Sequence, residues 1–152
     1  MRLICHSLVI GFALALPGSL SAQDAGIIRL TCEGVQETNT IAADPANNRK
    51  TKERKSATIT VLTATGVAQF QNLGLIAFNI ANESIKCTVT PSKIYCDKEL
   101  RVKDTTFSSQ VMINRYSGLM TESQMLGFGG ATASITTITG EYKCQALEKP
   151  IF

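Results

Sequence analysis

The sequence predicts an all-β protein, either an antiparallel sandwich or a small up-and-down barrel of about eight strands, stapled by disulfides. Two features of the residues after position 22 lead to this class. Short apolar and β-branched segments recur roughly every 8–12 residues with turn signals between them, and no amphipathic helical pattern interrupts them. The same part of the chain holds four cysteines, enough for two bridges in an exported domain.

Residues 1–22 have the layout of a secretory signal peptide. A basic start at Arg2 is followed by the apolar run Leu8–Leu16, a break at Pro17 and small residues before Gln23. The run is shorter than the roughly 20 residues that a membrane-spanning helix needs, so no membrane span is expected. We expect cleavage after Ala22 or Ser21 and a periplasmic or secreted protein. Residues 23–152 then form a single β-rich domain.

Cleavage at this point would remove the one histidine of the chain, His6. Histidine is the usual general base near neutral pH, so serine–histidine and cysteine–histidine catalysis would be excluded. Zinc bound by histidine or reduced cysteine is disfavoured in an oxidising compartment. We therefore expect no catalytic residue, no metal site and no cofactor.

The elements begin with the segment Ile27–Glu33, whose composition is typical of a strand. Residues 34–55 are polar and include the turn signal Asp44-Pro45, and they predict a long, mobile loop. Strand signals return at Ala57–Leu62, which alternates and is rich in β-branched residues. Val67–Gln71 follows after a short turn and is the returning strand.

The second half of the chain continues this pattern. Leu75–Ile80 is apolar and fits either a buried strand or one helical turn. A hairpin containing two cysteines follows over residues 84–97. Phe107–Arg115 and Leu119–Leu126 predict another hairpin around a tight turn, and a glycine-rich loop then leads to the closing strand or strand pair at Ala131–Tyr142.

Turn geometry predicts one of the two disulfides. If Pro91 and Ser92 form the loop of the cysteine hairpin, Cys87 faces Cys96 in a non-hydrogen-bonded pair. Cα atoms in such a pair lie about 4.5 Å apart, close enough for a bridge. Proline cannot adopt the positive φ that the tightest hairpin turns require. A four-residue loop keeps the same facing pair, so the prediction does not depend on the turn type.

The two remaining cysteines, Cys32 and Cys144, would then join the first strand to the last. A closed loop of this length stabilises the folded state by on the order of 4 kcal/mol, because it restricts the unfolded chain. The alternative is that the cysteines are buried free thiols, which behave as small apolar side chains.

A basic run is the strongest local charge feature. The segment from Arg49 to Lys55 is opposed only by Glu53, and it predicts either a solvated loop or a patch for an anionic protein, glycan or lipid. Nucleic-acid grooves interleave aromatic residues with the charges, and residues 23–69 contain none, so nucleic acid is not expected. Arg115 is a further candidate contact, unless its stem packs along the sheet. The possible partner-binding residues are Arg49, Lys50, Lys52, Arg54, Lys55 and Arg115.

A group of carboxylates offers a different hypothesis. Asp97 and Glu99 would share one strand face, and Asp104 follows nearby. A carboxylate pair can serve as acid and base in glycoside hydrolysis, and three carboxylates can collect calcium. The surrounding run is rich in charge of both signs, which favours an ordinary solvated strand end.

The last third of the chain resembles a group of exported proteins. Ile113–Gly118 (INRYSG), the strand that returns after it, Tyr142–Cys144 and the terminal Lys149–Phe152 are similar to small, uncharacterised exported proteins of Gram-negative bacteria. Those proteins share an I-x-R-x-T/S-G hairpin and end in a cysteine strand with a K-P-hydrophobic-Phe tail. The resemblance covers residues 105–152. It implies a β-rich exported domain and implies no reaction, ligand or catalytic residue.

Together these observations predict an exported, non-catalytic binding or interaction module whose partner is an unknown protein, glycan or lipid. A structural envelope component without a discrete ligand is the alternative, and a hydrolase using carboxylates alone is least favoured. A binding module predicts a concave apolar pocket or an exposed apolar patch. An envelope component predicts a closed and filled barrel.

Overall fold

The computed structural model describes residues 26–81, 84–130 and 133–147, and the segment predicted to be a signal peptide lies outside them. The chain forms a closed antiparallel barrel in which each strand pairs with the next and the last pairs with the first. The predicted all-β class is confirmed, as the barrel rather than the sandwich. The strands are β1 (Ile27–Ala42), β2 (Arg49–Leu62), β3 (Val67–Gln71), β4 (Ile85–Val89), β5 (Lys93–Val102), β6 (Thr105–Asn114), β7 (Leu119–Phe128) and β8 (Ser134–Ala146).

Connections alternate between the two ends of the barrel, because consecutive strands run in opposite directions. We call the hairpin end the one that carries the β1–β2, β3–β4, β5–β6 and β7–β8 connections. The terminal end carries the other three turns, the start of β1 and the end of β8. A 3-10 turn, Pro45–Asn47, and a helix, α1 (Ile76–Ala81), both belong to the hairpin end.

Residues 34–55 do not form the predicted loop, and this expectation is wrong. β1 and β2 pair without interruption from Ile27↔Leu62 to Thr40↔Arg49, so the segment is the outer half of one long hairpin. The turn signals mark its tip, where Asp44 accepts a hydrogen bond from the backbone N–H of Ala46 at 3.0 Å. The outer halves of the two strands were missed because they are mostly polar, with too few apolar residues to show an alternation.

The apolar core fills the middle of the barrel and its terminal half. Alternate residues point inward along each strand, as Ala57, Ile59 and Val61 do on β2, and all three are fully buried. The apolar segment at 75–80 is helical rather than extended, and α1 buries Ala77 and Phe78 among the inward side chains. This six-residue helix therefore occupies part of the barrel interior.

Both predicted disulfides are present. Cys87 and Cys96 face each other across the β4–β5 hairpin with a Cα–Cα distance of 4.2 Å. Cys32 and Cys144 face each other across β1 and β8, the pair of strands that closes the barrel, at 3.9 Å. Gly34 allows the same strands to approach, since a Cβ there would overlap the backbone oxygen of Glu141. The long bridge thus covalently locks the seam of the barrel.

The two bridges should differ in their effect on stability. Cys32 and Cys144 are 112 residues apart in the sequence, whereas Cys87 and Cys96 are only 9 residues apart. Replacing either pair by alanine opens the loop that its bridge closes. Restriction of the unfolded chain predicts losses of about 5 and about 3 kcal/mol in the free energy of unfolding, respectively. Urea denaturation of the two double variants measures the difference. Equal losses would show that loop closure is not how the seam bridge stabilises the fold.

Candidate functional site

The predicted basic run lies on β2, in the half that extends past β3. β2 pairs with β1 over its length, but it pairs with β3 only from Thr58↔Gln71 to Leu62↔Val67. In the described parts of the chain no strand pairs with the other side of residues 49–57. We call residues 49–57 the basic edge. It is a free sheet edge that carries all five of the predicted basic residues.

Strand alternation divides these basic side chains between the two faces of β2. Counting in steps of two from the buried Ala57, Arg49 and Lys55 lie on the inward face. The residues on the outward face are Lys50, Lys52 and Arg54, and all three are exposed. An open depression of about 480 Å³ lies beside the inner end of the basic edge, lined by Arg54, Lys55 and Ser56 together with Glu33, Gly34 and Val35 of β1.

The outward charges are only partly neutralised. Lys50 Nζ lies 2.6 Å from Glu37 Oε1 on β1, and hydrogen bonding to Lys50 holds the pKa of Glu37 below its usual value. On the inward face, Lys55 Nζ lies 3.1 Å from Glu53 Oε1. Within the described residues, Lys52 and Arg54 form no ion pair. Glu37 also faces Lys52 across the β1–β2 ladder and interacts with its charge, so the outward face of the basic edge is partly compensated and keeps a net positive charge.

The other predicted contact, Arg115, lies far from the basic edge at the terminal end. Its Nη1 donates to the carbonyl oxygen of Thr90 at 2.8 Å, and its backbone N–H donates to Ser92 O at 2.9 Å. These bonds fix the β6–β7 turn beside the β4–β5 turn. Arg115 lies at the rim of a cavity of about 210 Å³, whose wall includes Ile28, Leu30, Ile94, Ile113 and Ala146. The site combines an apolar wall with one cationic group.

A third cluster, missed by the sequence analysis, lies inside the barrel around Glu122, which is 3% exposed. Gln36 Nε2 donates to both carboxylate oxygens, at 3.2 and 3.0 Å. Gln124 Nε2 donates to Oε1 at 2.5 Å, and the hydroxyl of Tyr142 donates to Oε2 at 2.7 Å. Burial, together with the hydrogen bond to Glu122 and its charge, raises the pKa of Tyr142 above its ordinary value.

The same network holds α1 in place. Gln124 accepts from the backbone N–H of Ile76 at 2.8 Å and donates to Gly74 O at 2.8 Å. Ser109 Oγ accepts from the N–H of Ala77 at 3.0 Å and donates to Gln124 Oε1 at 3.1 Å. Two N–H groups that the first helical turn leaves unpaired are thereby satisfied by the barrel wall. The buried polar side chains of the barrel wall therefore hold α1 in position.

The chemistry of this interior cluster is that of a structural network. No buried side-chain nitrogen or oxygen of the described residues lacks a hydrogen-bond partner. Neither of the two cavities described above is lined by Glu122. A signal for the cluster was present in the sequence, because Glu122 and Gln124 alternate in step with the apolar Met120 and so share its face. Polar residues at inward positions escape a search for apolar alternation.

The predicted carboxylate group does not converge. Asp97 and Glu99 are exposed on β5, opposite in direction to the buried Ile94 and Cys96, and Asp104 lies in the β5–β6 turn. Neither cavity is lined by any of the three carboxylates. Among the residues that the structure describes, no group of three or more histidine, cysteine, aspartate or glutamate side chains is arranged to hold a metal ion.

The described helical segment is too short to cross a membrane, and no other described helix is long and apolar enough to do so.

No family model, curated protein or solved structure matches the chain. The resemblance of residues 105–152 to small exported proteins therefore stays a prediction.

Gly140 gives a direct test of the interior packing. A Cβ at this position would overlap the ring of Tyr142 and lie 2.8 Å from Glu122 Oε2. We expect Gly140→Ala to lower the free energy of unfolding by about 1–3 kcal/mol, as overpacking of a filled core does. Gly127→Ala is the matched control, because its Cβ would meet nothing closer than 4.0 Å. Equal stability of the two variants in urea denaturation would contradict the described packing.

The raised pKa of Tyr142 predicts a loss of stability at high pH. Above pH 10 the phenol ionises in the unfolded chain but stays protonated in the folded one, so the unfolded state binds fewer protons and stability falls. Between pH 10 and 11, wild type should lose about 1 kcal/mol more than Tyr142→Phe. Urea unfolding of both proteins over this range measures the difference. Parallel pH profiles would contradict the buried, protonated phenol.

Proposed function

We propose that this protein is an exported, non-catalytic binding module that takes a small anionic ligand with an apolar body into its terminal-end cavity. The observation that carries the proposal is the pairing of an apolar wall, which includes Ile94 and Ile113, with the fixed guanidinium of Arg115 at the rim. Ligand sites typically combine such an apolar lining with a few placed polar groups.

The size of the cavity limits the ligand. An apolar cavity of about 150 Å³ is large enough to bind benzene, and pockets for drug-sized molecules begin at about 300 Å³. A volume of about 210 Å³ therefore suits a single ring or a short acyl chain, with a small headgroup outside it. The apolar body enters among the isoleucines, and the headgroup stays at the rim.

The charge at the rim selects the headgroup. Arg115 is the one charged residue among those that line the cavity. Its guanidinium has five N–H donors in a planar fork, and the bond to Thr90 O fixes that fork. Arginine forks match the two oxygens of a carboxylate, so a carboxylate headgroup fits this rim best.

The two disulfide bonds support export. Disulfides form and persist in oxidising compartments, and the cysteines of the folded domain are joined in two bridges. Together with the signal-peptide layout of residues 1–22, this favours a periplasmic or secreted protein.

A structural envelope role is the second candidate, favoured by a different observation. The interior around Glu122 is filled by side chains and by α1, as a purely structural barrel would require. The two roles differ in one respect: a structural component has no discrete ligand, whereas a binding module has a saturable site at Arg115.

Fluorine NMR with 4-fluorobenzoate tests the binding proposal. Wild-type protein should shift and broaden the probe resonance in a saturable way, and Arg115→Gln should weaken binding by about tenfold to a hundredfold, the loss of one charge-assisted contact of about 1.5–3 kcal/mol. Arg101→Gln removes the same charge from the exposed outer wall and should leave binding unchanged. No saturable binding, or the same weakening in both variants, would overturn the proposal and favour the structural role.

A further inference from the structure

We propose that the basic edge is a docking site at which an extended acidic segment of a partner protein adds to the barrel as a further strand. This inference does not depend on the terminal-end cavity. It rests on three observations. β2 has a free edge, this edge exposes backbone N–H and C=O groups, and the side chains beside those groups are positively charged.

The hydrogen-bond pattern identifies the open backbone groups. The N–H of Thr63 donates to Gly26 O at 2.6 Å, so these facing residues form a hydrogen-bonded pair in the β1–β2 ladder. Such pairs alternate along an antiparallel ladder, and therefore odd-numbered residues of β2 bond to β1. Even-numbered residues point their N–H and C=O groups the other way. On the basic edge these are Lys50, Lys52, Arg54 and Ser56, and none has a backbone partner on that side among the described residues.

The same residues carry the outward charges. Lys50, Lys52 and Arg54 lie on the outer face at two-residue intervals, the spacing at which an added strand presents its own side chains to that face. Opposite charges in cross-strand pairs stabilise a sheet, and like charges oppose it. An incoming strand with glutamate or aspartate at every second position would therefore match this edge in both hydrogen bonding and charge.

Charge also decides between an acidic partner and a second copy of this chain. Pairing two basic edges would bring lysine and arginine side chains against one another, and charged edge residues are a common protection against such pairing. Glu37 bonds to Lys50 and also faces Lys52 across the β1–β2 ladder, where it offsets part of that positive charge. Arg54 forms no ion pair among the described residues. The edge thus rejects its own copy and keeps a net positive charge for an acidic strand.

β3 does not cover the basic edge, because it pairs with β2 only from Thr58 to Leu62. The open depression of about 480 Å³ lies instead over the β1–β2 pairs Glu33↔Ser56, Gly34↔Lys55 and Val35↔Arg54. Side chains on the inward face of an added strand would meet Lys55, Glu53 and Thr51, which are polar. We therefore expect the partner segment to be acidic on one face and small or polar on the other.

Amide hydrogen exchange of the full exported chain, followed by NMR, tests the mode of binding. The probe is the peptide (Glu-Thr)4, with (Lys-Thr)4 as its control. At ten times the Kd, exchange at Lys50, Lys52, Arg54 and Ser56 should slow about tenfold, because their N–H groups gain partners. Exchange at the intervening residues should stay as it is, since they are already bonded to β1. Slowing without this alternation, or no binding, would overturn strand addition and leave a merely solubilising edge.

Charge variants provide a second readout. The triple variant K50E/K52E/R54E should lose (Glu-Thr)4 binding and gain (Lys-Thr)4 binding. The matched control K86E/R101E/K143E makes the same change in net charge at exposed residues of β4, β5 and β8. It should bind (Glu-Thr)4 as wild type does. Equal loss in both triple variants would show that the peptide responds to net charge rather than to the basic edge.

Discussion

Closure of the barrel between β1 and β8 is the constraint on which the rest of the structure depends. Without it, β1 would lie at the edge of an open sheet and its inward side chains would lose the far wall of the core. The Cys32–Cys144 bridge fixes this seam covalently, and Gly34 lets the two backbones approach. β1 and β8, the two strands that close the barrel, each adjoin one of the two surface sites. β1 supports the basic edge on one side, and β8 contributes to the terminal-end cavity on the other.

The polar interior holds α1 inside the barrel at a place separate from the terminal-end cavity. Glu122 is buried with hydrogen bonds from three side chains, and the network continues through Gln124 and Ser109 to the backbone of α1. A half-satisfied network of this kind would be strongly destabilising, because each buried polar group that lacks a partner costs about 1–3 kcal/mol. Hydrogen bonds from side chains of the barrel wall therefore hold the helix in place, and the helix fills part of the barrel interior at the hairpin end.

Local rules made much of the fold predictable. The Cys87–Cys96 pair followed from the geometry of one hairpin, and the strands with an apolar inward face were found by their alternation. Two features depend on contacts between distant residues and were not predictable. The outer halves of β1 and β2 are mostly polar, so they are defined as strands by pairing with each other and by the pairing of β1 with β8. The Glu122 network joins residues from β1, β6, β7 and β8, and closure of the barrel brings Gln36 of β1 to the others.

The site residues show the same division. Sequence reasoning identified the basic run and Arg115 from charge and turn chemistry, but it could not place them on a free edge and at a cavity rim. Disulfide mapping of the non-reduced protein by peptide mass spectrometry tests barrel closure most directly. Closure between β1 and β8 predicts a link between Cys32 and Cys144, and the β4–β5 hairpin predicts one between Cys87 and Cys96. A link between Cys32 and Cys87 would contradict it, because β1 and β4 are not neighbours in this barrel.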